Sequence, residues 1–162
     1  MNRTEFKKQF GFDLDREANK LWKIFMKNGG EPRCNYRLPE IETGGTSRGY
    51  ANYNRHQVYL GCGTNSKTEQ DVWYTLLHEL AHIAHPPDRP CRANNARRNP
   101  HSREFYYSMR AVIEKRCGIL ISFASVKTWG YSVDAIIERQ LFGVHDWKPT
   151  QPKATQLVGG TK

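Results

Sequence analysis

The sequence predicts an α+β domain in which several helices accompany a small antiparallel sheet. Four segments carry apolar residues at helical spacing, and residues 33–61 carry short apolar runs separated by turn residues. Apolar residues make up 38% and aromatic residues 12% of the 162 residues, which is enough for the core of one ordinary domain. We therefore expect a single domain over residues 1–147, followed by a flexible tail over residues 148–162.

The composition argues against a membrane protein and against a disulfide scaffold. No stretch approaches the roughly 18 continuous apolar residues of a membrane span, and residues 1–10 lack the apolar segment of a secretory signal. We therefore expect a soluble, monomeric protein of the cytoplasm with no membrane partner. Four cysteines lie far apart without a C-x-x-C pair, which is typical of free thiols. They are Cys34, Cys62, Cys91 and Cys117.

The charge of the chain narrows the class of its partners. Lysine and arginine number 25 against 16 acidic residues, so the net charge is +9. This excess favours nucleic acid, an anionic surface or an acidic protein as a partner. Charge alone does not choose among these three classes.

The first 61 residues predict one helix followed by the sheet. Asp13 is a plausible N-cap, and the helix that follows it is stopped by Asn28-Gly29-Gly30. Its apolar stripe consists of Leu14, Ala18, Leu21, Trp22 and Phe25. Over residues 33–61, Gly44-Gly45 and Asn54-Arg55 separate the apolar runs, so we expect three short antiparallel strands.

Three more helices are predicted after the sheet. One begins near Ser66, whose spacing to Glu69 matches a capping box, and ends at Pro86-Pro87. The next has Asn99 as N-cap and Pro100 as its first residue, and a glycine at position 118 ends it. Residues 119–126 are ambiguous between strand and helix, and residues 133–141 predict a last helix that is ended by Gly143.

The helix after the sheet contains an H-E-x-x-H motif formed by His78, Glu79 and His82. Residues four apart lie on one face of a helix, so both imidazoles can reach one zinc ion. A catalytic zinc site keeps one position for a water whose pKa the metal lowers to about 7. Glu79 could take the proton of that water and deliver it to the departing amine, a contribution of about 10²–10⁴-fold. The motif therefore predicts a zinc-dependent endopeptidase.

A short motif can also arise by chance, and the rest of the helix bears on that alternative. Its polar residues form one stripe, and its apolar residues occupy the remaining faces. The stripe consists of Thr75, His78, His82 and His85. This segregation favours a metal site over histidines that merely decorate a surface.

A catalytic zinc site usually has three protein ligands, so a third must lie elsewhere. His85 is close in sequence, but it is the eighth residue counted from His78. On a straight helix it would therefore lie too far along the axis to bind the same ion as His78 and His82. His101 is predicted in the first turn of the next helix, which can fold back, and we favour it. Glu104 is the rival ligand or a residue that orients a histidine, and His145 is a further candidate.

Four segments occur in an order that is typical of one peptidase family. They read G-Y-A-N-Y from Gly49, H-Q-V-Y-L-G from His56, T-L-L-H-E-L-A-H-I-A-H from Thr75 and H-S-R-E-F from His101. This order resembles the SprT-like metallopeptidases, which include Spartan, over residues 49–109. The resemblance implies a small zincin-like domain whose strands precede the H-E-x-x-H helix.

The resemblance also implies roles for individual residues. His78, His82 and His101 match the zinc ligands of the family, and Glu79 matches the general base. The chain departs from the family at Ser102, where a glycine is usual, in a long loop before His101 and in lacking a cysteine-rich zinc ribbon.

Members such as Spartan cut proteins that are crosslinked to DNA, so the resemblance implies a protease that acts near DNA. A basic loop lies between the second and third expected ligands, and Asp88 is its only acidic residue. Its arginines are Arg89, Arg92, Arg97 and Arg98, and we group with them Arg103, which follows the third expected ligand. We interpret this loop as a possible contact with DNA phosphates.

Two other functions remain open at this point. One is a nucleic-acid-binding protein with a structural or vestigial zinc, and the other is a different zincin peptidase that uses Glu104 and cleaves a regulator. Among the aromatic residues, Tyr106 or Tyr107 could stabilise an oxyanion, although packing is the favoured role. No function is assigned to the remaining aromatic residues near the C-terminus, which are Trp129, Tyr131, Phe142 and Trp147.

Overall fold

The computed structural model describes residues 1–63, 67–87 and 99–143, and the backbone of residues 156–157. The helices are α1 (Arg3–Phe10), α2 (Leu14–Lys27), α3 (Glu69–Ala84), α4 (Arg103–Cys117) and α5 (Ser132–Phe142). The strands are β1 (Glu40–Gly44), β2 (Tyr50–Asn52), β3 (Gln57–Gly61), β4 (Ile119–Leu120) and β5 (Gln156–Leu157). This mixture of helices with a small sheet confirms the α+β class, and none of the described helices is long and apolar enough to cross a membrane.

The three-stranded sheet has the order β1-β3-β2, with β3 in the centre. β2 and β3 form an antiparallel hairpin in which Tyr50 pairs with Tyr59. β1 runs parallel to β3, with Ile41 opposite Val58. The prediction of an all-antiparallel sheet is therefore wrong for β1. The chain leaves β1, passes to the edge strand β2 and returns through the hairpin into the centre, a path that alternation of apolar residues does not encode.

The predicted helix after Asp13 is confirmed as α2, and a shorter helix precedes it. The Asp13 side chain accepts a hydrogen bond from the Arg16 backbone N–H at 3.0 Å. The sequence analysis did not predict α1, which is capped by Asn2 and buries only Phe6 and Phe10. Eight residues with two buried positions give too weak a periodic signal for detection.

α3 begins two residues later than a capping box at Ser66 predicts. Thr68 is the N-cap. Its side chain accepts a hydrogen bond from the Asp71 backbone N–H, and the Asp71 side chain accepts one from the Thr68 backbone N–H. Ser66 itself lies outside the described residues. α3 packs against α2, β2, β3 and α4, so its apolar faces are covered and its histidine-bearing face is directed to the cleft described below.

The start of α4 differs from the prediction. Its N-cap is Ser102, whose hydroxyl accepts a hydrogen bond from the Phe105 backbone N–H. Asn99 instead accepts a hydrogen bond from the His101 backbone N–H at 3.0 Å, so it closes the turn before the helix. His101 therefore lies in a turn and not in the first helical turn. Gly118 ends α4 in the left-handed conformation, as expected.

The C-terminal part of the described chain is mainly helical. In the ambiguous segment only Ile119–Leu120 forms a strand, and α5 confirms the helix predicted over residues 133–141. Within the predicted tail, Gln156–Leu157 pairs in parallel with β4. The rest of that tail and the proposed boundary at residue 147 lie outside the described residues.

A buried ion pair connects three helices, α2, α3 and α4. Arg116 on α4 donates two hydrogen bonds to the Glu17 carboxylate on α2, at 2.7 and 2.8 Å. Trp73 on α3 donates a third from its indole N–H at 3.0 Å. The side chains of Arg116 and Glu17 are 6% and 3% exposed, so the two charges depend on each other for compensation.

Candidate metal centre

Three imidazoles converge at the end of the cleft beside α3. His78 and His82 come from successive turns of α3, and His101 comes from the turn before α4. The His78 Nε2 atom lies 3.1 Å from His82 Nε2 and 3.2 Å from His101 Nε2. Two nitrogen ligands at about 2.0–2.1 Å from a tetrahedral zinc ion lie about 3.3 Å apart, so these separations fit one ion. The three histidines could therefore hold a metal ion.

Asp134 on α5 fixes the orientation of His78. Its carboxylate accepts a hydrogen bond from His78 Nδ1 at 2.9 Å and from the hydroxyls of Tyr74 and Tyr106 at 2.6 and 2.9 Å. With Nδ1 as the donor, the lone pair of His78 Nε2 is left for the centre of the cluster. Metal-binding histidines commonly donate their other N–H to a carboxylate in this way. The sequence analysis missed Asp134; its one signal was an acid beside the buried Val133 on the last helix.

The charge states of His82 and His101 favour binding of a metal cation. Burial lowers the pKa of His82 to about 3, with further lowering by the charges of His78 and His101. Burial and His78 also lower the pKa of His101. Burial acts in the same direction on His78, but the hydrogen bond and charge of Asp134 outweigh it and raise its pKa. His82 and His101 therefore present neutral imidazoles, the form that binds a metal.

His82 and His101 are positioned by aromatic neighbours. The hydroxyl of Tyr53 lies 3.3 Å from His82 Nδ1, and the Phe105 ring packs against both imidazoles. His101 is 4% exposed, and its Nδ1 atom has no hydrogen-bond partner within the described part of the chain. Its Nε2 atom alone is directed to the cluster, which is consistent with a ligand held by packing.

Glu79 lies at the same cleft and is almost completely buried. The cleft has a volume of about 610 Å³, and its lining includes Glu79, the three histidines and Tyr53. Burial raises the pKa of Glu79 to about 7, although the neighbouring His78 acts to lower it. A carboxylate with a pKa near neutrality can both accept and return a proton.

Gly49 allows β2 to pass close over Glu79. A Cβ atom at position 49 would lie 3.1 Å from Glu79 Cγ and 2.7 Å from Thr75 Cγ2. Any larger residue would therefore push the strand away from α3 or displace the Glu79 side chain. The absence of a side chain at Gly49 thus explains how the backbone at the start of β2 can border the cleft next to Glu79.

The other candidate ligands lie away from the cluster. His85 caps the end of α3, and its Nε2 atom lies 2.7 Å from the Ser108 hydroxyl. Glu104 is exposed in the first turn of α4 and borders a different cavity together with His85. Neither belongs to the group of converging ligand atoms in the described chain. His145 lies outside the described residues.

The two tyrosines considered as oxyanion donors have other partners. The hydroxyl of Tyr106 is buried and donates to Asp134, and Tyr107 stacks with Arg103 and Arg110 away from the cleft. Of the other aromatic residues, Trp129 packs on Tyr106 and Tyr107, Phe142 packs on Tyr74, and Trp147 lies outside the described residues. Tyr131, to which the sequence analysis gave no role, lines the cleft.

Comparisons of the chain with known protein families, with curated proteins and with solved structures found no match. The chemistry of the site is therefore inferred from the residues and distances of this chain.

Replacing Asp134 by asparagine should weaken metal binding without unfolding the protein. The amide keeps the size of the side chain but loses the charge that holds His78 Nδ1–H. Partners of this kind typically contribute about 10–100-fold to metal affinity, and we expect a loss of that size in zinc titrations. Asp15→Asn, which makes the same chemical change at an exposed position of α2, is the matched control and should stay close to wild type. Equal affinities for all three proteins would contradict the role given to Asp134.

Proposed function

We propose that this protein is a zinc-dependent endopeptidase of the SprT-like, zincin type. The observation that carries the proposal is the convergence of three imidazoles beside a buried glutamate in one open cleft. Two features add support to the family assignment. The sheet precedes the H-E-x-x-H helix, and His101 lies in a turn just before Glu104 and Phe105 in the first turn of α4.

A zinc ion bound by His78, His82 and His101 would supply a Lewis acid and a water of lowered pKa. Glu79 would accept one proton from the attacking water as the water oxygen bonds to the scissile carbonyl carbon and the π electron pair of the carbonyl moves to its oxygen. Glu79 delivers the proton to the amide nitrogen as the C–N bond breaks. Asp134 keeps the His78 ring in place throughout these proton transfers.

The edge of the sheet offers a place for an extended peptide. β2 pairs with β3 on one side, and in the described chain no strand covers its other side. Gly49, Tyr50 and Ala51 of this edge line the same cleft as Glu79. An exposed strand edge can bind an extended chain through backbone hydrogen bonds, and such binding depends little on side-chain identity. An unfolded segment of a protein is therefore the substrate class that we propose.

The direct test of the proposed function is hydrolysis of an unfolded model substrate such as casein. We expect cleavage by the zinc-loaded protein, its loss on treatment with a chelator, and its recovery when zinc is added back. Cleavage that is unaffected by chelation, or the absence of cleavage by protein shown to contain zinc, would contradict the proposal.

A second function, contact with single-stranded nucleic acid, is proposed from a groove on α4. The groove has a volume of about 670 Å³ and is lined by two arginines and three aromatic rings. They are Arg103, Arg110, Tyr107, Phe123 and Trp129. The Arg110 guanidinium lies 4.3 Å from the Tyr107 ring centroid, and within residues 1–63, 67–87 and 99–143 neither arginine forms an ion pair.

Arginines beside aromatic rings can bind single-stranded nucleic acid, whose phosphates pair with the arginines and whose bases stack on the rings. Arg103, which was grouped with the basic loop predicted as a DNA contact, is the first residue of α4. Arg89, Arg92, Arg97 and Arg98 lie outside the described residues. The groove therefore supports nucleic-acid contact by residues that the sequence analysis had only partly identified.

Replacing Arg103 and Arg110 together by alanine should weaken binding of a single-stranded oligothymidylate. Loss of two phosphate contacts should make the slope of log affinity against log salt shallower by about 1.4, measured by fluorescence anisotropy. Lys23→Ala with Lys27→Ala, two exposed positions on α2, removes the same charge and is the matched control. Equal losses of oligothymidylate affinity in the two double variants would contradict the proposed contact. So would the absence of salt-sensitive binding by wild type.

A further inference from the structure

Tyr131 is an exposed aromatic residue in a position that packing does not explain. Its side chain is 76% exposed, the highest value among the large exposed hydrophobic residues of the described chain. Its ring centroid lies 4.1 Å from that of His101, and it lines the cleft together with Glu79 and Tyr53. Because the ring is mostly exposed, its burial contributes little to stability. The hydroxyl of Tyr131 is therefore the group whose role remains to be explained.

The backbone around Tyr131 is held by the same element that orients His78. The Tyr131 carbonyl accepts a hydrogen bond from the Asp134 backbone N–H at 3.2 Å, in the turn that begins α5. Asp134 is in turn bonded to His78, Tyr74 and Tyr106. Tyr131 is thus placed on a rigid support, as a group that must meet a reacting atom should be.

We propose that the Tyr131 hydroxyl donates a hydrogen bond to the scissile carbonyl oxygen as negative charge develops on it. This inference rests on the proposed peptidase function. When the water oxygen bonds to the carbonyl carbon, the π electron pair moves to the carbonyl oxygen, and Tyr131 stabilises that oxygen without giving up its proton. The hydrogen bond weakens again when the C–N bond breaks and the carbonyl is restored.

The other hydroxyl donors near the histidines are already engaged. The Tyr53 hydroxyl lies 3.3 Å from His82 Nδ1, and those of Tyr74 and Tyr106 donate to Asp134. Within the described residues the Tyr131 hydroxyl has no hydrogen-bond partner, and the contact of Tyr131 with His101 is between the two rings, which are tilted by 44°. The Tyr50 hydroxyl at the same cleft is also unbonded within the described residues, but its ring stacks on Tyr59, with 5.0 Å between the centroids. Tyr131 is therefore the unbonded tyrosine of the cleft whose ring lies against a histidine of the cluster, and it can turn to a substrate oxygen without breaking an existing hydrogen bond.

The test is Tyr131→Phe, which keeps the ring beside His101 and removes only the hydroxyl. Loss of one such donor typically lowers kcat by about 10²–10³-fold, and we expect a change of about 10²-fold in kcat on a fluorogenic peptide with little change in KM. Binding of a phosphinic peptide, whose tetrahedral phosphinate resembles the oxyanion, should weaken by a similar factor in calorimetry. Zinc content should equal that of wild type.

The matched control is Tyr36→Phe, which removes the hydroxyl of another exposed tyrosine outside the cleft and should leave both measurements unchanged. A zinc-loaded wild type that cleaves peptide while Tyr131→Phe matches it in kcat and phosphinate affinity would overturn this inference alone. A zinc-loaded wild type that cleaves no peptide would remove the proposed function and this inference with it.

Discussion

Glu79→Gln is expected to lose at least about 10²-fold in the rate of peptide hydrolysis while retaining its metal. Glutamine fills the same space in the cleft, but it cannot accept the proton of the attacking water. The three imidazoles that we expect to bind zinc are unchanged. The loss should appear in kcat on a fluorogenic peptide, with zinc content measured on the same preparation.

The control for this variant is Glu114→Gln, which makes the same chemical change at an exposed position of α4. It should cleave peptide at the wild-type rate. If Glu79→Gln contains zinc and cleaves as fast as wild type, the proposed proton transfers are wrong. If it loses its zinc, Glu79 contributes to metal binding and its role must be assigned differently.

Glu17→Gln is expected to lower the free energy of unfolding by about 3–5 kcal/mol. The substitution leaves the guanidinium of Arg116 buried without a compensating charge, which is the costly way of disrupting a buried ion pair. The free energy of unfolding of a small domain is only about 5–15 kcal/mol, so this loss would be a large fraction of it. Urea unfolding should show the change as a lower midpoint with a similar slope.

Two comparisons make this prediction specific. Asp15→Asn removes an ion pair to Arg3 in which both side chains are about half exposed, and it should cost less than about 1 kcal/mol. Replacing Glu17 by leucine and Arg116 by methionine together should recover much of the stability, since no buried charge remains. A Glu17→Gln midpoint equal to that of Asp15→Asn would show that the buried pair does not stabilise the fold as described.

Most of the helices, including the one that carries His78 and His82, could be predicted because their signals are local. Periodicity and capping residues identified α2, α3 and α5, and the H-E-x-x-H spacing placed His78 and His82 on one helical face. The ends of elements were less certain, because Ser66 and Thr68 are both residue types that favour an N-cap, and Thr68 is the one observed. Asn99 was misassigned for the same reason, since its side chain caps a turn as readily as a helix.

The features that the sequence did not reveal depend on contacts between distant segments. β1 pairs in parallel with β3 because the chain crosses to β2 first, and no local pattern records that path. Asp134 lies 56 residues from His78 and reaches it only when α5 packs beside α3. Tyr131 is likewise brought to His101 by the turn that begins α5. These three features could therefore be identified only from the three-dimensional structure.

The central claim is that His78, His82 and His101 together bind one metal ion, and zinc X-ray absorption tests it most directly. We expect one zinc per chain in wild type and in His85→Ala, with three imidazole nitrogens at about 2.0–2.1 Å, and little bound zinc in His101→Ala. Retention of zinc by His101→Ala together with its loss from His85→Ala would contradict the assignment.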